Sequence, residues 1–237
     1  MGEPARFFFL HLQKTGGTAL FQRLRESFGP SAVYPTPDDQ GNVAAVIEVA
    51  HLAERFRTHR DDIRVVTGHF PLCVVDGLGA PFSTFTVLRD PVERTLSLLR
   101  RRQAADARFQ GCDLREIYED TGLRDIIRNH MVKMLSLTAE EMGAAPLTQS
   151  VAFDDARLDR AKRNLEGIDV VGLQERFDDF CAELEARFGW DLGPPRFANR
   201  TAHRPAPNGL REQIAADNEM DAELYRHALR LIDERGA

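Results

Sequence analysis

Phe7-Phe8-Phe9-Leu10-His11-Leu12-Gln13-Lys14-Thr15-Gly16-Gly17-Thr18-Ala19-Leu20 is the stretch whose reading decides the fold. Phe7 to Leu10 is a continuous apolar run, which suits a strand covered on both faces. From Thr18 onward Leu20, Phe21, Leu24 and Phe28 recur at helical spacing, with Gln22, Arg23, Arg25 and Glu26 between them. A strand, a tight turn and a helix follow in order. Gly16 and Gly17 fall where the chain must reverse and where bare amides head the helix. Such a turn is a ready anion site. Lys14 adds a point charge, and Thr15 and Thr18 add hydroxyls. Two glycines alone would fit an ordinary strand-to-helix turn. Lysine and two threonines between this strand and this helix favour the anion loop.

The Walker A loop, G-x-x-x-x-G-K-[ST], would need glycines at positions 8 and 13, which hold Phe8 and Gln13. The turn is therefore built differently from that of an ATPase or GTPase. Strand–KTGGT–helix resembles the 5′-phosphosulfate loop of sulfotransferases that use 3′-phosphoadenosine 5′-phosphosulfate (PAPS). It most resembles the group containing heparan sulfate 2-O-sulfotransferase and its bacterial relatives. Their usual form is PKTGG[ST]; here Gln13 stands in the proline's place, a loss of turn rigidity more than of chemistry.

A second signature lies downstream. Phe82 to Leu88 reads as a strand and leads into Leu88-Arg89-Asp90-Pro91-Val92-Glu93-Arg94-Thr95-Leu96-Ser97. Asp90 is a helix cap and Pro91 suits the first helical position. Arg89 then ends a strand, and Ser97 lies about two turns into the helix. RDPxxRxxS resembles the same family's motif for the 3′-phosphate of PAPS. Arg89 offers a fork of donors and Ser97 a hydroxyl. A helix-start salt bridge from Arg89 to Asp90 or Glu93 is the plainer alternative. Arg94 reads as a structural ion pair. In open α/β sheets ligands bind beyond the carboxyl ends of the strands. Lys14, Arg89 and His69, which follows the strand Asp62 to His69, all fall at such ends.

The resemblance implies a site. Lys14, Thr15, Gly16, Gly17, Thr18 and Ala19 would hold the 5′-phosphosulfate, with Lys14 stabilising the leaving phosphate. Arg89 and Ser97 would take the 3′-phosphate. A late basic loop often covers that phosphate in sulfotransferases, so Arg200 or Arg204 is expected there; a solvated basic loop explains Leu192 to Asn208 equally well. Sulfuryl transfer needs a general base, and His69 is the best placed of the seven histidines. Heparan 2-O-sulfotransferase resembles this, with a G-H at the same stage and another histidine two positions earlier, where this chain has Thr67. His11 reads as structural, and His51, His59 and His227 as surface or packing residues. No metal is required, and no metal-ligand cluster is apparent. The expected acceptor is a hydroxyl-bearing glycan or glycolipid.

Composition sets bounds. A chain of 237 residues, 43% apolar and 29% charged, has the make-up of a globular α/β protein. A net charge of −6 does not advertise nucleic-acid binding. No apolar run approaches the ~18 residues of a membrane span, and no signal-peptide pattern opens the chain. Cys73, Cys112 and Cys181 are scattered, which fits a reducing, cytoplasmic setting.

Further elements follow from periodicity. Helices are expected over 43–57, 114–119, 122–137, 154–165, 175–188 and in one or two pieces over 209–235. A strand is expected over 169–173, and a short extended piece at Val33-Tyr34. Asn129, His130 and Lys133 read as a solvated helix face, although the family often has an Asn and a basic residue near its ligand. The expectation is one α/β domain over residues 1–237, with a central, mostly parallel sheet flanked by helices and a P-loop-like nucleotide site. It would be a PAPS-dependent sulfotransferase. A P-loop-like kinase and a non-catalytic nucleotide-binding module are the alternatives.

Overall fold

β1 (Phe7–Leu10) is the middle strand of a five-stranded sheet, in the order β2-β3-β1-β4-β5. β2 is Val33–Tyr34, β3 Val65–Gly68, β4 Ser83–Leu88 and β5 Val170–Leu173. Every pairing is parallel, with Leu10 beside Gly68 on one flank and Thr86 on the other. The computed structural model describes residues 5–194 and 206–236. Arg200 and Arg204 lie outside the described residues.

The alternation along β1 divides the core. Phe7 and Phe9 pack with Val65, Phe85 and Val87 under α1 (Gly17–Phe28) and α10 (Phe177–Phe188). Phe8 and Leu10 pack on the opposite face, against α3 (Val49–Thr58), α8 (His130–Ser136), α9 (Asp155–Glu166) and α12 (Glu219–Arg235). With both faces covered, the apolar run FFFL is what a central parallel strand requires. A third cluster joins α5 (Pro91–Ala105), α6 (Leu114–Tyr118) and α11 (Leu210–Asp217). Among the described residues no helix is long and apolar enough to cross a membrane.

Two expected helices are broken. The 43–57 segment divides into α2 (Ala44–Ile47) and α3 around an extended Glu48, and the His69 amide donates to Val46 O over 2.7 Å. That bond ties α2 to the end of β3. The 122–137 segment is interrupted between α7 (Arg124–Ile127) and α8, where Asn129 takes a left-handed φ of 41°. Asn218 and Asp221 hold that turn, as described below. The remaining helix is α4 (Val74–Gly77), a single turn after β3.

Candidate active site

β1 has β3 on one side and β4 on the other, so the chain leaves it in opposite directions. This is the topological switch point at which an open parallel sheet gapes. The Lys14 turn, His69 and Arg89 follow β1, β3 and β4 respectively. All three therefore stand on one edge of the sheet.

The turn has the conformation of an anion cradle. Lys14 (φ 68°) and Gly16 (φ 92°) are both left-handed, with Thr15 between them. Alternation of this kind points successive amides the same way. α1 begins at Gly17 with no side-chain cap on its N-cap Gly16 and no acidic residue in its first turn. The amides of Gly17 and Thr18 thus lack intrahelical acceptors. Ala19 N–H donates to Gly16 O (3.0 Å), so that amide is engaged within the helix. The Thr15 hydroxyl, fully buried, donates to Leu12 O (2.9 Å) and braces the turn from inside.

Both glycines are forced by what surrounds them. A Cβ on Gly17 would lie 2.1 Å from the His11 ring. A Cβ on Gly16 would press on the Phe177 ring at 3.3 Å, in a backbone conformation that already disfavours side chains. Phe177 and Gln174, both following β5, accordingly form a wall of the loop.

Arg89 is joined to this loop. Its Nη1 donates to Lys14 O at 3.0 Å, while its buried Nε has no partner among the described residues. Glu175, Glu93 and Asp90 act on its guanidinium through charge, and the two carboxylates of the plainer alternative also have partners of their own. Asp90 caps α5, accepting from the amides of Val92 and Glu93 (3.0 Å each), and Glu93 meets Arg211 at 2.7 Å. Ser97 lies further along α5, half-buried. Arg94, fully buried, donates to Ile127 O (2.6 Å) and is structural, although its partner is a carbonyl and not an acid. Burial lowers the Lys14 ammonium's pKa, and the cations of Arg101 and Arg89 lower it further. Arg101, one turn beyond Ser97, thus belongs to the same positive corner. It was not singled out in the sequence because it sits in a run of three arginines.

His69 is fixed by a hydrogen bond between its Nδ1 and His11 O, 2.9 Å apart. A carbonyl can only accept, so Nδ1 carries the proton and Nε2 presents a lone pair. Burial lowers the His69 pKa; the bond to His11 O works against this, and Lys14 adds to the lowering. The imidazole is thereby kept neutral. His11 packs on both sides: its ring stands 4.6 Å from the His69 ring and stacks on Phe9 (5.2 Å). Thr67, on β3, is buried. The second histidine beside His69 comes from the neighbouring strand, a pairing that needs the sheet order to be seen.

Asn129, His130 and Lys133 are not a solvated face. They are 7%, 0% and 1% exposed. Lys133 Nζ donates to the carbonyls of Asp125, Leu147 (2.9 Å) and Gln149 (3.1 Å), and burial brings its pKa down to about 8. His130 reaches the anion loop itself, where its Nε2 is 3.2 Å from the Gln13 amide. No cluster of metal-ligating side chains occurs among the described residues.

No protein-family model matches the chain, and no curated protein matches it. Among solved structures, a sulfotransferase from Alicyclobacillus acidocaldarius shares the fold. The likeness has a TM-score of 0.51 at 17% identity and covers 93% of this chain and 94% of that one.

Proposed function

We propose that this chain is a sulfotransferase that moves a sulfuryl group from PAPS to an acceptor hydroxyl. The observation that carries the reading is the Arg89–Lys14 contact. It makes one positive corner of two strand ends, beside a neutral His69 whose Nε2 carries the lone pair. The fold shared with the Alicyclobacillus protein agrees with it.

The residues present fit a doubly phosphorylated adenosine carrying a sulfate. The cradle of Gly16, Gly17 and Thr18 amides suits the 5′-phosphate, aided by the positive end of α1. The unpartnered Nε of Arg89, with Ser97, suits the 3′-phosphate. His69 Nε2 accepts the acceptor hydroxyl's proton as its oxygen bonds to sulfur. The bond from sulfur to the bridging phosphate oxygen breaks in line with that attack. Lys14 would stabilise the oxygen that gains the charge. Arg200 and Arg204 remain candidates to cover the 3′-phosphate. The acceptor class we favour is a glycan or glycolipid hydroxyl.

The test is release of adenosine 3′,5′-bisphosphate from PAPS, followed by mass spectrometry across a panel of hydroxyl acceptors. Acceptor-dependent release with a sulfated product is expected. Phosphate transfer from ATP with no use of PAPS would establish the kinase alternative in its place.

A further inference from the structure

We infer that His130 is a positioning residue of the anion loop, holding the Gln13 backbone amide so that Lys14 keeps its left-handed conformation; the inference rests on the function proposed above. The contact is long-range in sequence and local in space: Gln13 N–H donates to His130 Nε2 at 3.2 Å across 117 residues. His130 is fully buried, so this bond is made away from competing water. Lys14, the next residue, has φ 68° without being glycine. That conformation is disfavoured for an L-residue. A fixed amide immediately before it opposes relaxation of the turn.

His130 is itself clamped. Asn129 N–H donates to Asn218 Oδ1 (2.9 Å), and Asp221 N–H donates to Asn129 Oδ1 (3.1 Å). The Asp221 carboxylate accepts from Met131 N–H (3.1 Å) and Val132 N–H (2.8 Å). The start of α12 therefore caps α8 and fixes where the His130 ring points. The acceptor role requires Nε2 to be unprotonated, which places the proton on Nδ1. Burial favours this neutral form, and the cations of Arg94 and Lys133 favour it further. Two helices from the second half of the chain thus hold the loop of the first strand.

Five proteins decide it: the wild type, His130→Phe, His130→Gln, Gln13→Pro, and Gln13→Pro combined with His130→Phe. Phe fills the space but accepts nothing; the Gln side-chain oxygen accepts at a similar reach; Pro removes the donor. Loss of one buried hydrogen bond predicts about a five- to tenfold weaker affinity of His130→Phe for adenosine 3′,5′-bisphosphate. His130→Gln should stay within about twofold of wild type. In the Gln13→Pro background His130→Phe should have almost no further effect, as expected for partners of one bond. Hydrogen exchange at the Gln13 amide of the unliganded protein supplies a readout that needs no nucleotide: His130→Phe should speed it and His130→Gln should not. Unchanged exchange, an equal His130→Phe effect in both backgrounds, or failure of His130→Gln to rescue would overturn the assignment. A wild type that binds no nucleotide would instead remove the proposed function, while exchange at Gln13 would still decide the anchor.

Discussion

The Nδ1 of His69 is held 2.9 Å from the carbonyl of His11, so the end of β3 is oriented by the end of β1. One backbone carbonyl thereby sets the tautomer of the proposed base and leaves the lone pair on its Nε2. His69→Ala is expected to lose at least about a hundredfold in turnover, the lower range for removal of a general base. Its affinity for adenosine 3′,5′-bisphosphate should stay within about twofold, because His69 is not assigned to the nucleotide. Turnover at the wild-type rate would remove His69 from the chemistry.

The same histidine predicts a pH profile. Transfer needs His69 neutral, and burial holds its pKa below the ordinary value. kcat/KM should therefore rise from acid pH with a midpoint below about pH 6.5, the usual histidine value. A midpoint above that value would mean that His69 is stabilised as a cation, contrary to its surroundings.

Arg89 has two tasks that can be separated. Arg89→Lys keeps the charge but loses the fork that spans Lys14 O and the site. Loss of a charge-assisted bond predicts a roughly ten- to hundredfold weaker affinity for adenosine 3′,5′-bisphosphate. ADP, which lacks the 3′-phosphate, should weaken much less. Equal losses for both nucleotides would show that Arg89 acts only by bracing the loop.

Gly17 and Gly29 form a controlled pair. Gly17→Ala would drive a methyl into the His11 ring, whereas Gly29 (φ 86°) has nothing within 4 Å of an added Cβ. Gly17→Ala should destabilise the fold by about 1–3 kcal/mol and abolish nucleotide binding. Gly29→Ala, at φ 86° and ψ 145°, carries only a backbone penalty of about 1–3 kcal/mol and should bind normally. Denaturant titration beside calorimetry measures both effects.

Stability should fall on mild acidification. His11 and His130 are held well below the ordinary histidine pKa and His69 below it, each mainly by burial. The unfolded chain binds protons near pH 6.5 that the folded chain refuses, so this stability is complete above about pH 6.5 and is lost as pH falls. Each such histidine contributes at most about 1.4 kcal/mol per pH unit. Asp221 opposes them: burial raises its pKa to about 6, so the folded state holds a proton there that the unfolded state releases. Three groups against one give a net loss as pH falls below about 6.5, and His130→Phe should flatten the slope. An unchanged slope would contradict the buried, neutral assignment of His130.

The sheet and the strand ends that carry Lys14, His69 and Arg89 were legible because local patterns specify them. FFFL suits a covered strand, and KTGGT and RDP each follow a strand directly. The breaks at Glu48 and Asn129 were not legible. Helical periodicity continues through both, and the left-handed Asn129 is paired with Asn218 and Asp221, about ninety residues away. For the same reason His130 and Lys133 read as surface. Their polarity is satisfied by the amide of Gln13 and by the carbonyls of Asp125, Leu147 and Gln149, which no spacing rule brings together. The His11–His69 pairing likewise depends on β1 lying beside β3. Arg200 and Arg204 lie outside the described residues, so their expected role stands as a proposal.

The most direct measurement is calorimetric titration, without magnesium, of adenosine 3′,5′-bisphosphate and ADP into the wild-type protein. The account predicts that the 3′-phosphate strengthens binding at least about tenfold, the contribution of one or two charge-assisted bonds from Arg89 and Ser97. Equal affinity for the two nucleotides, or binding of ADP only with magnesium, would contradict it.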